Sequence, residues 1–244
     1  RHSGRLLQHL GLNKPLIALH DHNEHGRVQG ILDQLLAGAD VALISDAGTP
    51  LISDPGYVLV REARAEGLRV SPIPGPCALI AALSAAGLPT DRFLFVGFLP
   101  AKRSGRRTAL EEIRKENATL VFYESPHRIL DTVADIVEIM GGHREIVLGR
   151  EITKAFETFY SGEATQVLAT LTEDPHGSRG EFVVMVRGAE KTESSLMAGA
   201  LDVDRLLSLL MEELPLKKAA KIASSLTGLG KNELYQRALD LKDS

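Results

Sequence analysis

An alternation constrains this chain more than any other feature. Through its first half, short apolar runs on consecutive residues take turns with amphipathic segments. Leu16–His20, Val41–Ser45, Arg69–Ile73 and Phe93–Phe98 predict strands, and Gly26–Ala37, Tyr57–Glu66 and Ala78–Ala86 predict the helices between them. Strands that are apolar on both faces belong in a parallel sheet covered on both sides. Ligands of such sheets sit beyond the carboxyl ends of the strands. The expected class is therefore α/β.

The stretch GFLPAKRSGRR (Gly97–Arg107) interrupts the alternation with glycine, proline and a run of cations, and reads as a domain boundary. A second α/β block follows. Its expected strands are Thr119–Tyr123, Glu145–Arg150 and Glu181–Arg187, with an extended Phe156–Tyr160 and helices His127–Met140 and Ala164–Leu171. The polar segment Glu190–Gly199 reads as a linker. Three short helical patterns end the chain: Val203–Glu213, Leu216–Ser225 and Lys231–Leu241. Pro215 suits a first helical turn, and Gly228 with Gly230 suits a tight turn between helices. The organisation expected is an α/β domain over residues 1–97, a second over 98–190, and a helix-turn-helix-like tail over 200–244.

Composition excludes several classes of function. No apolar run approaches the ~20 residues needed to cross a bilayer, so a membrane protein is not expected. Cys77 is the only cysteine, which rules out an intrachain disulfide and a cysteine-rich zinc site and suits a reducing cytoplasm. A net charge of −4 gives no global case for nucleic-acid binding, so any basic face must be local. The cluster His20–His25 (HDHNEH) contains metal-capable side chains but lacks the HEXXH spacing. Asn23 there suits an N-cap and Glu24 a first helical turn, and no metal is expected.

Two loops that follow predicted strands carry the main functional signal: SDAGTPLISDPG (Ser45–Gly56) and PIPGPCALIAAL (Pro72–Leu83). Neither fits GxGxxG or the P-loop pattern, which disfavours a nucleotide-dependent oxidoreductase or kinase. Neither contains a lysine or arginine. A polyphosphate needs cations or free backbone N–H groups, and proline removes an N–H wherever it occurs. Prolines stiffen these loops and glycines let the backbone approach a ligand. They suit a nucleoside-like ligand with little negative charge; the alternative is a pair of merely rigid turns.

Six segments, in order, carry a family resemblance: SDAGTPLISDPG, PGPCALIAALSAAGLPTDRF, GFLPAKRSGRR, YESPHR, REITKAFE and GEFVV. Together they resemble the tetrapyrrole-methylase superfamily, and more narrowly its branch of 16S ribosomal RNA cytidine-2′-O-methyltransferases. The resemblance implies two α/β domains with S-adenosylmethionine in the cleft between them. It also implies a homodimer, a ribosomal RNA or small-subunit partner, and a strand with a TPIGN-like loop ahead of Arg1, about one βα unit of roughly 30 residues or more.

By position in the matched motifs, the resemblance assigns Gly48, Thr49, Pro50 and Ile52 to the first cofactor loop and Cys77 and Ala78 to the second. It assigns Tyr123, Glu124, Gly180, Glu181 and Phe182 to the cofactor side of the second domain. Asp46 and Asp54 either hold ribose hydroxyls or cap turns. Cys77 is expected to meet the cofactor through its backbone, since no activating base adjoins it. Glu124, His127, Lys154 and Glu157 are candidates to help deprotonate the target hydroxyl, with Glu124 and Lys154 the catalytic expectation. The rival reading of Lys154 and Glu157 is a purely structural ion pair. Lys102, Arg103, Arg106 and Arg107 are expected to clamp RNA phosphates; a solvated hinge is the rival. Lys217, Lys218, Lys221, Lys231 and Arg237 give the tail a second basic face, although an ordinary packed helix pair shows the same spacing. The rival functions are a small-molecule methyltransferase and a non-catalytic RNA-binding module.

Overall fold

The computed structural model describes residues 2–20, 23–190, 203–227 and 229–242. Residues 1–189 form one compact unit and residues 190–244 another. The expected linker lies almost wholly outside the described residues, as does Gly228 of the expected turn.

The first half of the larger unit contains helices α1 (His2–His9), α2 (Glu24–Leu36), α3 (Tyr57–Ala65) and α4 (Ala78–Ala86). Val28, Ile31 and Leu32 of α2 pack on Leu59 and Ala63 of α3, with Leu19 and Val70 alongside. Three expected strands need correction. Leu16–His20, Val41–Ser45 and Arg69–Ile73 form no strand ladders, and Leu16, Ile17, Val41, Ile44 and Ile73 are exposed. Of these runs, Leu19 and Val70 pack on α2 and α3.

The sheet is built by the rest of the unit. Its strands are β1 (Phe93–Phe98), β2 (Thr119–Glu124), β3 (Glu145–Arg150), β4 (Thr158–Glu163) and β5 (Phe182–Val186), in spatial order β1-β2-β5-β3-β4. β1 runs parallel to β2, and every other neighbouring pair is antiparallel. Phe93–Phe98, expected as the last strand of the first domain, thus belongs to this sheet. Between strands lie α5 (Arg103–Ile113), α6 (Ile129–Met140) and α7 (Ala164–Glu173).

Strand β5, FVVMV, shows why the sheet is sandwiched. Phe182, Val184 and Val186 enter the core shared with Leu110 of α5, Ile129, Val133 and Ile136 of α6, and Val167 and Leu171 of α7. Val183 and Met185 face the other way, toward Leu79, Ala82 and Leu83 of α4. Side chains alternate faces at period two, so an unbroken apolar strand requires helices on both sides.

Among the described residues, the smaller unit packs together α8 (Val203–Glu213), α9 (Leu216–Thr227) and α10 (Lys231–Lys242). Leu207 and Leu234 are fully enclosed, and Ala220, Ala223 and Ala238 let the helices approach closely. Lys217, Lys218, Lys221 and Lys231 are exposed. Arg237 instead bonds Asp204 through Nε at 2.6 Å and Nη2 at 3.2 Å, joining α10 to α8.

Candidate active site

Strand register brings the candidate residues to one end of the sheet. Phe98 lies opposite Tyr123, Glu124 opposite Phe182, and Phe182 opposite Arg150. The carboxyl ends of β1, β2 and β3 therefore share an end with the start of β5. The loops bearing Lys102, Glu124, Lys154, Gly180 and Glu181 all emerge there.

The two cofactor-loop candidates reach the same place. Thr49 Oγ1 donates to the Pro76 carbonyl at 2.8 Å, binding one loop to the other. Leu79 N–H, at the start of α4, donates to the Tyr123 hydroxyl at 3.2 Å. Burial pushes the Tyr123 phenol up, opposed in part by that N–H, so it stays neutral. Gly97, at the β1 bulge, lies against Ser53 with room for a Cβ only 3.4 Å from its Oγ. Gly48, Thr49, Cys77, Tyr123 and the start of β5 are thereby brought to one end of the sheet.

Glu24 supplies a support that the sequence reading did not find. Its buried carboxylate accepts N–H bonds from Gly56 at 3.1 Å, Val58 at 2.9 Å and Leu59 at 3.4 Å. It thus caps α3 and fixes the end of the SDAGTPLISDPG loop; an anion at a helix N-terminus is stabilised by the dipole. Asn23 makes no side-chain N-cap bond; it accepts from His20 N–H at 2.9 Å and donates to the Ala18 carbonyl at 3.1 Å. Asp54 accepts the Ser45 hydroxyl at 2.5 Å and Asp46 the Ser3 hydroxyl at 2.7 Å. Among the described residues no group of three or more His, Cys, Asp or Glu is placed to hold a metal.

Glu124 as a catalytic base requires correction. Its side chain is fully enclosed and takes the Ser125 N–H at 2.7 Å, the Thr132 hydroxyl at 2.7 Å and an Arg128 N–H at 3.2 Å. The carboxylate fastens the start of α6 to the end of β2. Arg128 also donates to the Leu99 and Pro100 carbonyls, at 2.7 and 3.3 Å, tying in the segment after β1.

Lys154 does not pair with Glu157. Its Nζ donates to Glu151 at 2.8 Å and Glu181 at 3.0 Å, while Glu157 takes the Thr153 N–H at 2.6 Å. The bond to Glu151, and then that to Glu181, raises the Lys154 pKa, so the amine stays charged and cannot accept a proton near neutrality. Glu151, missed by sequence reasoning although it stands within REITKAFE, is held below the usual carboxylate range by Lys154 and by the Glu181 N–H.

The basic stretch is also reassigned. Residues expected in a flexible loop form the first turns of α5, and Arg106, 2% exposed, donates to fully buried Asp135 of α6 at 2.7 Å. Arg103 reaches the same carboxylate at 3.1 Å, and Arg107 bridges to Glu138. Arg106 is an interior residue and cannot meet phosphate. Lys102 and the outer edges of Arg103 and Arg107 remain at the surface. At the same end of the sheet, a cavity of 560 Å³ is lined by Pro126, His127, Leu130, Asp131 and Ser178–Gly180. Its size suits a small ligand or one nucleotide.

Comparison with known proteins agrees with this architecture. Residues 7–168 match the family Tetrapyrrole (Corrin/Porphyrin) Methylases, and residues 197–242 match the RsmI C-terminal HTH domain. A protein of Escherichia coli O157:H7 named Ribosomal RNA small subunit methyltransferase I is 54% identical over 98% of this chain and 83% of its own length. Its namesake in Pseudomonas aeruginosa is 55% identical over 98% and 84%. A crystal structure of diphthine synthase, only 13% identical, shares the fold with a TM-score of 0.55 over 75% of this chain and 73% of that one. With two-thirds of its residues inside the family match and about half identical to such relatives along nearly all its length, the chain belongs to the tetrapyrrole methylase family, within its ribosomal RNA small subunit methyltransferase I group.

Proposed function

We propose that the chain is an S-adenosylmethionine-dependent methyltransferase acting on the ribose 2′-hydroxyl of a cytidine in 16S ribosomal RNA. The observation that carries this reading is the 54% identity, over 98% of the chain, with a relative named as a ribosomal RNA small subunit methyltransferase. The proposed enzyme works in the cytoplasm, where its ribosomal substrate is, and as a homodimer, as the family resemblance implies.

The residues present fit the cofactor. Both loops joined by the Thr49–Pro76 bond lack a side-chain cation, which suits a sulfonium nucleoside and not a polyphosphate. Gly48, Thr49, Pro50, Ile52, Cys77 and Ala78 would hold it from the first half of the unit. Tyr123, Gly180, Phe182 and the backbones of Glu124 and Glu181 would hold it from the sheet. S-adenosylmethionine supplies a methyl group on positively charged sulfur, activated toward an oxygen nucleophile. The chain's contribution is to align the hydroxyl with that methyl and to ease loss of its proton. Lys154, kept protonated, suits the second task as a fixed charge that stabilises the oxygen as it becomes anionic. Lys102, Arg103 and Arg107 supply the outer RNA contact.

The test is transfer of radiolabel from S-adenosylmethionine to naked 16S RNA and to small subunits lacking the modification. A 2′-O-methyl group removes the nucleophile of alkaline cleavage, so the labelled cytidine should lie at an alkali-resistant linkage. Label on a base, or in neither substrate, would overturn the proposal.

A further inference from the structure

The loop between β3 and β4, Glu151–Glu157, holds its residues in costly conformations to display one aromatic ring. Glu151 has φ 50° and Thr153 φ 67°; for a β-branched residue the left-handed region is a genuine outlier. Strain of this kind persists only where the surroundings over-determine it. Here they do: Glu151 N–H donates to the Glu181 carbonyl and Glu181 N–H to the Glu151 carboxylate, both at 2.9 Å. Thr153 N–H is held by Glu157, and Lys154 bridges Glu151 and Glu181. Ile152 anchors the loop in the apolar cluster that contains Tyr123 and part-buried Cys77. Phe156 is nevertheless 74% exposed, more than any other phenylalanine or tyrosine among the described residues. A ring held out by a braced loop, at the end of the sheet where the candidate site lies, is not accounted for by packing.

We infer that Phe156 is a stacking platform for an unpaired base of the RNA substrate. This deepens the proposed function and rests on it. The chemistry of the neighbours selects the ligand group. Glu151 and Glu181 both bond Lys154, and Glu157 holds the Thr153 N–H on the same loop, so carboxylates outnumber cations along this loop and it does not suit a phosphate. A neutral, flat heterocycle carrying amino groups meets no such penalty: its face lies on the ring, and carboxylates at the edge accept from its N–H donors. The base lies on Phe156 while the sugar–phosphate chain runs toward the cations elsewhere on this end of the sheet.

The chain has no tryptophan, so Phe156→Trp introduces a single indole at the contact, excited selectively at wavelengths where the tyrosines do not absorb. On titration with naked 16S RNA its emission should be quenched. Phe156→Ala should raise the KM for RNA about five- to a hundredfold, leaving the melting temperature and S-adenosylmethionine affinity unchanged. Phe156→Leu, which keeps apolar bulk without a π face, should be as impaired as the alanine variant. An unquenched tryptophan, an alanine variant within twofold of wild type, or full rescue by leucine would overturn the inference. So would an alanine variant that dissociates a dimer in sedimentation at unaltered RNA affinity, since Phe156 would then belong to a contact between copies. Wild-type protein that methylates no RNA sinks the proposed function first and this inference with it; wild type active with an indifferent Phe156 sinks only the latter.

Discussion

Replacing Asp135 by alanine should unfold the larger unit at a markedly lower temperature. Asp135 is fully buried, and Arg106 opposite it is 2% exposed. Removing the carboxylate leaves a guanidinium in the interior without its counter-charge, a loss of about 3–5 kcal/mol for a buried pair. At roughly 2–4 °C per kcal/mol for a domain of this size, the midpoint should fall by roughly 6–20 °C. Calorimetry and urea unfolding measure it. Arg103→Ala, at the solvent-facing side of the same carboxylate, should shift the midpoint far less. Replacing Arg106 and Asp135 together by leucine should recover much of the loss, because no orphaned charge remains.

Acid provides an independent check on the same pair. Burial alone would raise the Asp135 pKa, but the bonds from Arg106 and Arg103 outweigh it and hold the carboxyl below its ordinary range. A depressed carboxyl stabilises the fold fully above its unfolded value near 3.9, and loses that contribution as pH falls through the folded value. Wild-type stability should therefore drop below about pH 4 more steeply than that of Asp135→Asn. An alanine variant within 1 kcal/mol of wild type, or as mild as Arg103→Ala, would refute the interior ion pair and restore these arginines to the surface.

Two further substitutions probe the candidate site. Gly180 has φ +86°, and a Cβ there collides with the Glu151 side chain; Gly180→Ala should displace Glu151 from Lys154 and slow single-turnover methyl transfer about a hundredfold, and an unchanged rate would discount that cluster. Thr49→Val removes the hydroxyl that joins the two proposed cofactor loops, and should cost about 0.5–1.5 kcal/mol in unfolding while weakening S-adenosylmethionine binding in calorimetry; undiminished affinity would show the loops to be set by other contacts.

Much of the fold was legible because helices and buried strands announce themselves locally. The apolar run Phe182–Val186 predicts a strand covered on both faces, and α4 and α6 cover it. What local pattern does not carry is the partner. Val41–Ser45 has the same apolar character, yet no neighbouring strand is hydrogen-bonded to it. Charge misleads in a related way. Four cations within GFLPAKRSGRR suggest a surface, whereas Asp135, some thirty residues on, draws one of them inside. The pairing of Lys154 with Glu151 and Glu181 likewise joins residues whose nearness depends on β3 and β5 lying side by side.

Backbone conformation shows why the site itself was only half readable. Among the described residues, the non-glycine positions with positive φ are Leu51, Ser53, Glu151 and Thr153. Two lie in the SDAGTPLISDPG loop and two in REITKAFE, the segments that meet the ends of β1 and β3. Each such residue costs of order 1–3 kcal/mol, and nothing in the identity of leucine, glutamate or threonine reveals it. The cost is offset by bonds from elsewhere: Glu24 to Gly56, Thr49 to Pro76, Glu181 to Glu151. Loops that served only to connect strands would relax, since relaxation removes strain without loss of core packing. That both strained loops are braced, and braced at the same end of the sheet, is a physical reason to assign the chemistry to that end, and it does not depend on any motif.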